Sequence, residues 1–417
     1  MLKQIEGSLG IAEAVALCRP GAVCAYPISP QTHIVENLGK MVKTGQLQDC
    51  EFVNVESEFS AISVSIGASA GGVRAYTATA SQGLLFMTEG VYNASGLGLP
   101  IVMTVASRAI GAPINIWNDH SDSLSQRDSG WLQLFCESNQ DALDTHIMAF
   151  KIAEEVGLPV MVCMDGFVLT HAFERLDLPT QEQVDAFLPP YQPKEYLDPK
   201  EPISMGGMVG PEAFTELRIL QQRKMLKALP VIERVTKEYR EITGHHSGGL
   251  LDCYNCDNAD VKLIILGSTV GTAKDAVDEL AKQGINAGII SLKAVRPFPY
   301  DALRAAVGDT KKVVIIERHF SYGARGVLFP DVVRALNGTG AQVNTAVCGL
   351  GGRAILGTTI KDIVKYSLDN KFSDEMTWFD VDTKLINSYL KDTEGVTLPE
   401  GPLPESALLD TLQKVRA

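Results

Sequence analysis

Three short segments carry residue types whose spacing could do chemistry. In Tyr26-Pro27-Ile28-Ser29-Pro30-Gln31-Thr32, two prolines fix the backbone around a small hydroxyl, Ser29. The free N–H groups of a helix starting at Thr32 would favour an anion beside it, although a Pro-Ser-Pro run also serves simply as a rigid turn. In Val55-Glu56-Ser57-Glu58-Phe59-Ser60-Ala61, Glu58 stands in the first turn of a helix built of small apolar residues. A carboxylate there complements the helix dipole, worth roughly a few tenths of a kcal/mol. Partly buried, it also suits proton exchange with a nitrogen heterocycle. Arg108 follows an apolar run and precedes Gly111-Ala112-Pro113-Ile114-Asn115-Ile116-Trp117-Asn118-Asp119-His120-Ser121-Asp122. Its guanidinium could clasp a planar carboxylate in a two-pronged fork, or pair with Asp119, Asp122 or Asp128.

Other candidates carry less. His120 lies between aspartates, but adjacency in sequence does not bring His, Ser and Asp side chains together, so no metal is expected there. Cys253-Tyr254-Asn255-Cys256 lacks the second cysteine pair that a zinc or cluster site needs. Gly349-Leu350-Gly351-Gly352 reads as a tight strand-to-helix connection, since no Lys-Ser/Thr pair follows it.

The elements that must position these loops alternate strand and helix. Apolar, β-branched runs at 22–26, 52–55, 73–79, 101–107 and 160–164 read as buried strands. Residues 32–42, 58–70, 83–96 and 140–156 read as helices, with 58–70 buried on most of its circumference. Such alternation implies a parallel sheet covered by helices, with ligands beyond the carboxyl ends of its strands. The rhythm is lost over 171–257, where proline-rich 188–202 reads as a surface excursion and 214–241 as one or two charged helices. A second, smaller parallel sheet is expected from strands at 261–267, 287–292, 312–317 and 343–347, with helices near 272–283, 300–306, 323–335 and 359–366. From Phe372 the chain has the look of an arm laid on another surface.

The 417 residues imply two or three domains, and 45% hydrophobic with 21% charged residues is ordinary for a folded chain. A net charge of −13 argues against nucleic acid or an acidic membrane surface as the partner. No apolar run approaches the roughly 20 residues of a membrane-spanning helix. The short apolar stretch at 10–18 carries Glu13, so a cytoplasmic protein without a signal peptide is expected. Eight cysteines in so long a chain read as small core residues, not a disulfide framework.

Taken in order, 26–32, 55–61, Thr77-Ala78-Thr79-Ala80-Ser81-Gln82-Gly83, 108–122 and Arg127-Asp128-Ser129-Gly130-Trp131 resemble the α subunit of pyruvate:ferredoxin oxidoreductase and related 2-oxo acid oxidoreductases. The likeness runs from about residue 8 to 370. It implies an α/β fold of two parallel-sheet domains. The first, over 8–240 with the excursion at 171–257, binds the pyrimidine half of thiamine diphosphate. The second, over 258–370, is like the transketolase C-terminal domain, and 371–417 is the arm.

By this resemblance Glu58 hydrogen-bonds the pyrimidine ring nitrogen, Pro27, Ile28 and Gln82 also line the cofactor, and Arg108 with Ser29 receives the substrate. Ser29 stands where the family usually has threonine, which widens the pocket by a methyl. Pyruvate is the first substrate expected, with phenylglyoxylate or a branched-chain 2-oxo acid as alternatives. The family's Gly-Asp-Gly run for Mg²⁺ is missing, with Met164-Asp165-Gly166 the nearest, and so is any cysteine run for a [4Fe-4S] cluster. The resemblance therefore implies a β subunit carrying the diphosphate and Mg²⁺ half, γ and ferredoxin-like subunits carrying clusters, and ferredoxin or an NAD-linked flavin subunit as acceptor. Coenzyme A is expected to take the acyl group. A transketolase-type component and a non-catalytic scaffold are the rival readings.

Overall fold

Strand and helix alternate along the chain because buried β-branched runs are separated by amphipathic ones. The computed structural model describes residues 1–369 and 373–416. In the first unit the order is β1 (Leu2–Glu6), α1 (Gly7–Leu17), β2 (Ala22–Ala25), α2 (Thr32–Lys43), β3 (Glu51–Asn54), α3 (Glu58–Ala70), β4 (Ala75–Thr79), α4 (Ser81–Phe86) and α5 (Thr88–Leu97). It continues with β5 (Val102–Ser107), α6 (Ser121–Ser125), β6 (Leu132–Phe135), α7 (Asn139–Val156), β7 (Val160–Asp165), β8 (Phe173–Asp177), α8 (Gln181–Phe187) and α9 (Pro211–Thr243). Then follow β9 (Leu251–Tyr254), β10 (Val261–Ile265), α10 (Thr269–Ala281), β11 (Ala287–Leu292), β12 (Ala294–Arg296), α11 (Tyr300–Val307), β13 (Lys312–Glu317), α12 (Phe329–Leu336) and β14 (Gln342–Val347). A 3-10 turn (Leu350–Gly352), α13 (Gly357–Leu368), β15 (Met376–Trp378), α14 (Thr383–Thr393), β16 (Leu403–Pro404) and α15 (Glu405–Arg416) complete it.

The first sheet has strand order β12-β6-β7-β5-β4-β2-β3, all parallel except edge strand β12, which runs antiparallel to β6. Strands β5 and β7 are buried at every position, as a parallel strand covered on both faces must be. The chain leaves β2 for β3 on one side, then crosses back to β4 on the other side of β2. A ligand crevice forms outside the carboxyl ends of strands where the order reverses in this way. The ends of β2 and β4 are thus the natural place for a site.

The second unit holds a sheet of order β16-β15-β14-β13-β10-β11-β9. Its core is aliphatic, with Val261, Leu263, Ile265, Ile289, Val314 and Ile316 packed beneath α10 and α13.

The chain's two compact units divide between Leu251 and Asp252, and Lys293–Pro299 belongs to the first of them. The reason is that β12 pairs with β6, and the buried Lys293 ammonium bonds Asp141 (2.8 Å) and faces Glu137 (3.6 Å). Several expectations are corrected. The tail is not merely an arm, because β15 pairs with β14 and β16 with β15. Residues 370–372 and 417, at the edges of the expected arm, lie outside the described residues. The helix expected over 83–96 is two, α4 and α5, whereas 214–241 falls within the single helix α9. Helix α3 is not buried most of the way round: Phe59, Ser63 and Gly67 form an exposed stripe. No helix among the described residues is long and apolar enough to cross a membrane.

Candidate active site

The loop after β2 is held in place by Gln31. This buried side chain donates from Nε2 to the carbonyls of Tyr26 (2.8 Å) and Ala78 (3.0 Å), stapling the loop to the end of β4. Pro27 and Ser29 are left exposed and Ile28 half-buried.

Glu58 is fixed by the start of α3. The Ser57 hydroxyl accepts the Ser60 N–H (3.2 Å), the usual way a serine caps an otherwise unsatisfied helix end. The Glu58 side chain is only 8% exposed, yet among the described residues no donor reaches its carboxyl group. The adjacent Thr79 hydroxyl is also buried and without a partner among the described residues. Gly83 in α4 packs against both: a Cβ there would lie 2.6 Å from Glu58 Oε1 and 2.7 Å from Thr79 Oγ1, so any larger residue would displace them. Buried polar groups are nearly always satisfied, so the unmet Thr79 hydroxyl beside a carboxyl group that takes no internal donor marks a place for a polar ligand.

Arg108, immediately after β5, is 6% exposed. Nη1 donates to the Ser29 carbonyl (2.8 Å), Nη2 to Gln82 Oε1 (3.2 Å) and Nε to the Asn115 carbonyl (3.4 Å). Burial lowers its pKa, with Asp122 opposing. The ion pair weighed from sequence does not form with any of the three aspartates. Asp119 takes the Ser121 N–H and hydroxyl, and Asp128 lies near Arg127 and Arg296. Asp122 Oδ2 instead accepts the backbone N–H groups of Ser81 (2.8 Å) and Arg108 (2.9 Å), while Oδ1 accepts that of Ser123 (2.6 Å). A cation ringed by neutral oxygens is prepared for an anion that arrives from outside.

One chain of contacts therefore runs from Glu58 through Gly83 and Gln82 to Arg108 and Ser29. Pro27 and Ile28 belong to the loop wall beside it. Sequence reasoning missed Asp122, Ser81 and Gly83 as parts of the site. Ser81 has φ +51° and donates its hydroxyl to the Ala109 carbonyl and Gln82 Oε1, so it ties the turn after β4 to the turn after β5. A serine in left-handed backbone leaves no trace in a polarity pattern.

Burial pushes the Asp122 carboxyl up to about 6, against the pull of the Ser81, Arg108 and Ser123 N–H groups. Because the folded value is raised above 3.8, this group's contribution to stability is full below 3.8 and is lost as pH rises through about 6. Asp122→Asn removes that dependence. Its melting temperature relative to the parent should climb across this window in thermal unfolding at stepped pH.

His120 is structural: Nε2 meets Asp165 Oδ1 at 2.8 Å in the core, its ring edge-on to Phe135. Away from the site, Glu6, His33 and His171 bring potential ligand atoms within 4.8 Å. The His33–Glu6 bond (2.7 Å) and the His171–Thr170 bond (2.7 Å) account for that grouping.

Comparison with known proteins extends this geometry. Residues 13–237 match the family model described as pyruvate flavodoxin/ferredoxin oxidoreductase, thiamine diphosphate-binding, and residues 259–363 match core domain II of pyruvate:ferredoxin oxidoreductase. Pyruvate synthase subunit PorA of Methanosarcina barkeri is 45% identical over 87% of this chain and 91% of its own length. Ketoisovalerate oxidoreductase subunit VorA of Pyrococcus abyssi is 38% identical over 90% and 97%. The fold matches a solved 2-oxoglutarate:ferredoxin oxidoreductase from Magnetococcus marinus with TM-score 0.65 at 19% identity, covering 88% of this chain and 65% of that one. With the thiamine diphosphate-binding model spanning the crevice that holds Glu58 and Arg108, the chain belongs to the pyruvate flavodoxin/ferredoxin oxidoreductase family.

Proposed function

We propose that this chain is the subunit of a 2-oxo acid:acceptor oxidoreductase that holds the pyrimidine half of thiamine diphosphate and receives the substrate carboxylate, with pyruvate as substrate. The observation that carries the reading is the pair of groups in one crevice that lack, among the described residues, a donor for the Glu58 carboxyl and a carboxylate for the Arg108 cation. Within one organism, Pyrococcus abyssi, the pyruvate synthase subunit is 43% identical and the ketoisovalerate subunit 38%, a margin that leans toward pyruvate.

The residues present fit the cofactor. A carboxyl group with no internal donor among the described residues suits a pyrimidine ring nitrogen, and Gly83, having no side chain, leaves the Glu58 carboxyl where it lies. Bound there, thiamine diphosphate supplies the carbon nucleophile and electron sink for decarboxylation. Glu58 holds or releases a proton at its carboxyl oxygen. Arg108 orients the 2-oxo acid through its carboxylate, and Gln82 with the Ser29 carbonyl fixes the guanidinium in turn. The Ser29 hydroxyl borders the substrate, while Pro27 and Ile28 wall the crevice. Gly83→Ala is expected to push the Glu58 carboxyl aside and lower turnover at least roughly tenfold with the circular dichroism spectrum unchanged. Ser29→Thr restores a methyl; at about 0.8 kcal/mol per buried carbon it should lower kcat/KM for 2-oxoisovalerate relative to pyruvate about fourfold.

The remaining half of the site belongs to partners. Exposed Phe59 and Phe86, with ring centroids 6.1 Å apart beside the Glu58 end of the crevice, offer an apolar surface to a β subunit that brings Mg²⁺ and the diphosphate cradle. Iron–sulfur clusters in further subunits would supply the path for electrons to ferredoxin or to an NAD-linked flavin subunit, and coenzyme A would be the acyl acceptor. The test is to purify the assembled complex and assay pyruvate, 2-oxoisovalerate and phenylglyoxylate with coenzyme A and a one-electron acceptor. A colourless complex, active without clusters, would favour a transketolase-type component instead.

A further inference from the structure

Outside this crevice, the cysteines divide into two kinds. Cys18, Cys24, Cys136, Cys163 and Cys348 are buried, and Cys50 is half-buried. Burial pushes all six thiols up, Cys24 and Cys50 to about 11 and Cys348 to about 12. Thiols held protonated in this way are poor nucleophiles. Cys253 and Cys256 differ. Cys253 is exposed on β9, the edge strand of the second unit's sheet. Asn255 then adopts φ +51°, turning the chain back so that the Cys256 and Cys253 sulfurs lie close enough to interact. The turn sits tightly on β11: Cys256 Sγ donates to the Ile289 carbonyl at 3.2 Å, and a Cβ on Gly288 would meet Cys256 Cα at 2.9 Å and the Asn255 carbonyl oxygen at 3.0 Å. The half-buried sulfur is therefore held in place, with the exposed one in contact with it and facing solvent.

We propose that Cys253 and Cys256 form a thiol–disulfide exchange site, with Cys253 as the attacking sulfur, Cys256 as the resolving sulfur and an external disulfide as co-reactant. The adjoining Cys256 sulfur draws the Cys253 thiol down to about 7, the nearby Lys262 ammonium helping against burial, Asp252 and Asp257. The same contact holds the Cys256 thiol up, so only one of the two is a thiolate at neutral pH. Cys253 thiolate attacks one sulfur of RSSR; a Cys253–SR bond forms, and RS⁻ leaves and takes a proton from water. With Cys253 capped, the contact that kept Cys256 protonated is gone. Cys256 loses its proton, attacks Cys253 Sγ and expels the second RS⁻. The two protein thiols are oxidised by two electrons, and one RSSR becomes two RSH.

The test uses the purified native complex under anaerobic conditions, with oxidised glutathione as the probe and differential alkylation read by mass spectrometry. Cys253 should alkylate roughly tenfold faster than any other cysteine of this chain before oxidation. Oxidation should then yield a Cys253–Cys256 disulfide that dithiothreitol reverses, leaving the other six thiols intact. Cys256→Ser should trap glutathione on Cys253, and Cys253→Ser should leave Cys256 unmodified. The proposal fails if Cys253 resists both reagents, if Cys253→Ser transfers the modification to Cys256, or if both sulfurs hold a stoichiometric metal ion. Activity of the thiamine diphosphate site is not part of the readout, so this result and that of the substrate assay stand apart.

Discussion

Glu58→Gln is expected to lower turnover of the assembled complex by roughly 10²–10⁴-fold, the range for loss of a positioned acid or base. The fold should not suffer. The substitution is nearly isosteric, Ser57 still caps α3, and no internal donor loses its acceptor, because among the described residues none reaches the carboxyl group. The melting temperature should therefore stay close to that of the parent. Activity falls while stability holds, which a packing role would not produce. Glutamine retains hydrogen-bonding atoms, so cofactor affinity should fall far less than turnover. The measurements are steady-state turnover at saturating thiamine diphosphate, cofactor titration, and size-exclusion chromatography of the complex. Undiminished turnover would favour a non-catalytic scaffold.

What could be read in the sequence follows physical range. Strands β5 and β7 were legible because both faces are covered and each residue before the terminal Asp165 of β7 is apolar or small. Glu58 and Arg108 stood out because each follows a strand of the sheet whose ends form the crevice. The pairing of β1 with β8 was not legible, since Leu2 meets Asp177 across most of the unit and neither strand is buried enough to alternate clearly. Strands β12, β15 and β16 have three, three and two residues, too few for a period-two pattern. The split of the 83–96 helix begins with Ser81 in left-handed backbone, and Met87 separates the two pieces. Asp122 and Gly83 escaped because one acts on backbone N–H groups and the other by lacking a side chain. Neither function has a signature in residue type.

Arg108→Ala should raise KM for pyruvate far more than it lowers kcat. Loss of one partner of a buried, hydrogen-bonded charge pair costs about 2–5 kcal/mol, or roughly thirty-fold to a few thousand-fold in kcat/KM. The split between the two constants follows from the reaction. The carboxylate that Arg108 holds gives up its charge as carbon dioxide leaves, so the contact is strongest before the transition state and weakens through it. Arg108→Lys keeps the charge but not the fork, and cannot reach the Ser29 carbonyl and Gln82 Oε1 together as the guanidinium does. It should fall between parent and alanine. The truncation also frees the Ser29 and Asn115 carbonyls, so part of the loss could come from loosened loops. Added guanidinium ion separates the two causes: refilling the site should recover activity in Arg108→Ala but not in Arg108→Lys, where the ammonium occupies the space. If KM for coenzyme A rose and that for pyruvate did not, Arg108 would be reading the thioester partner, and the substrate carboxylate would need another cation.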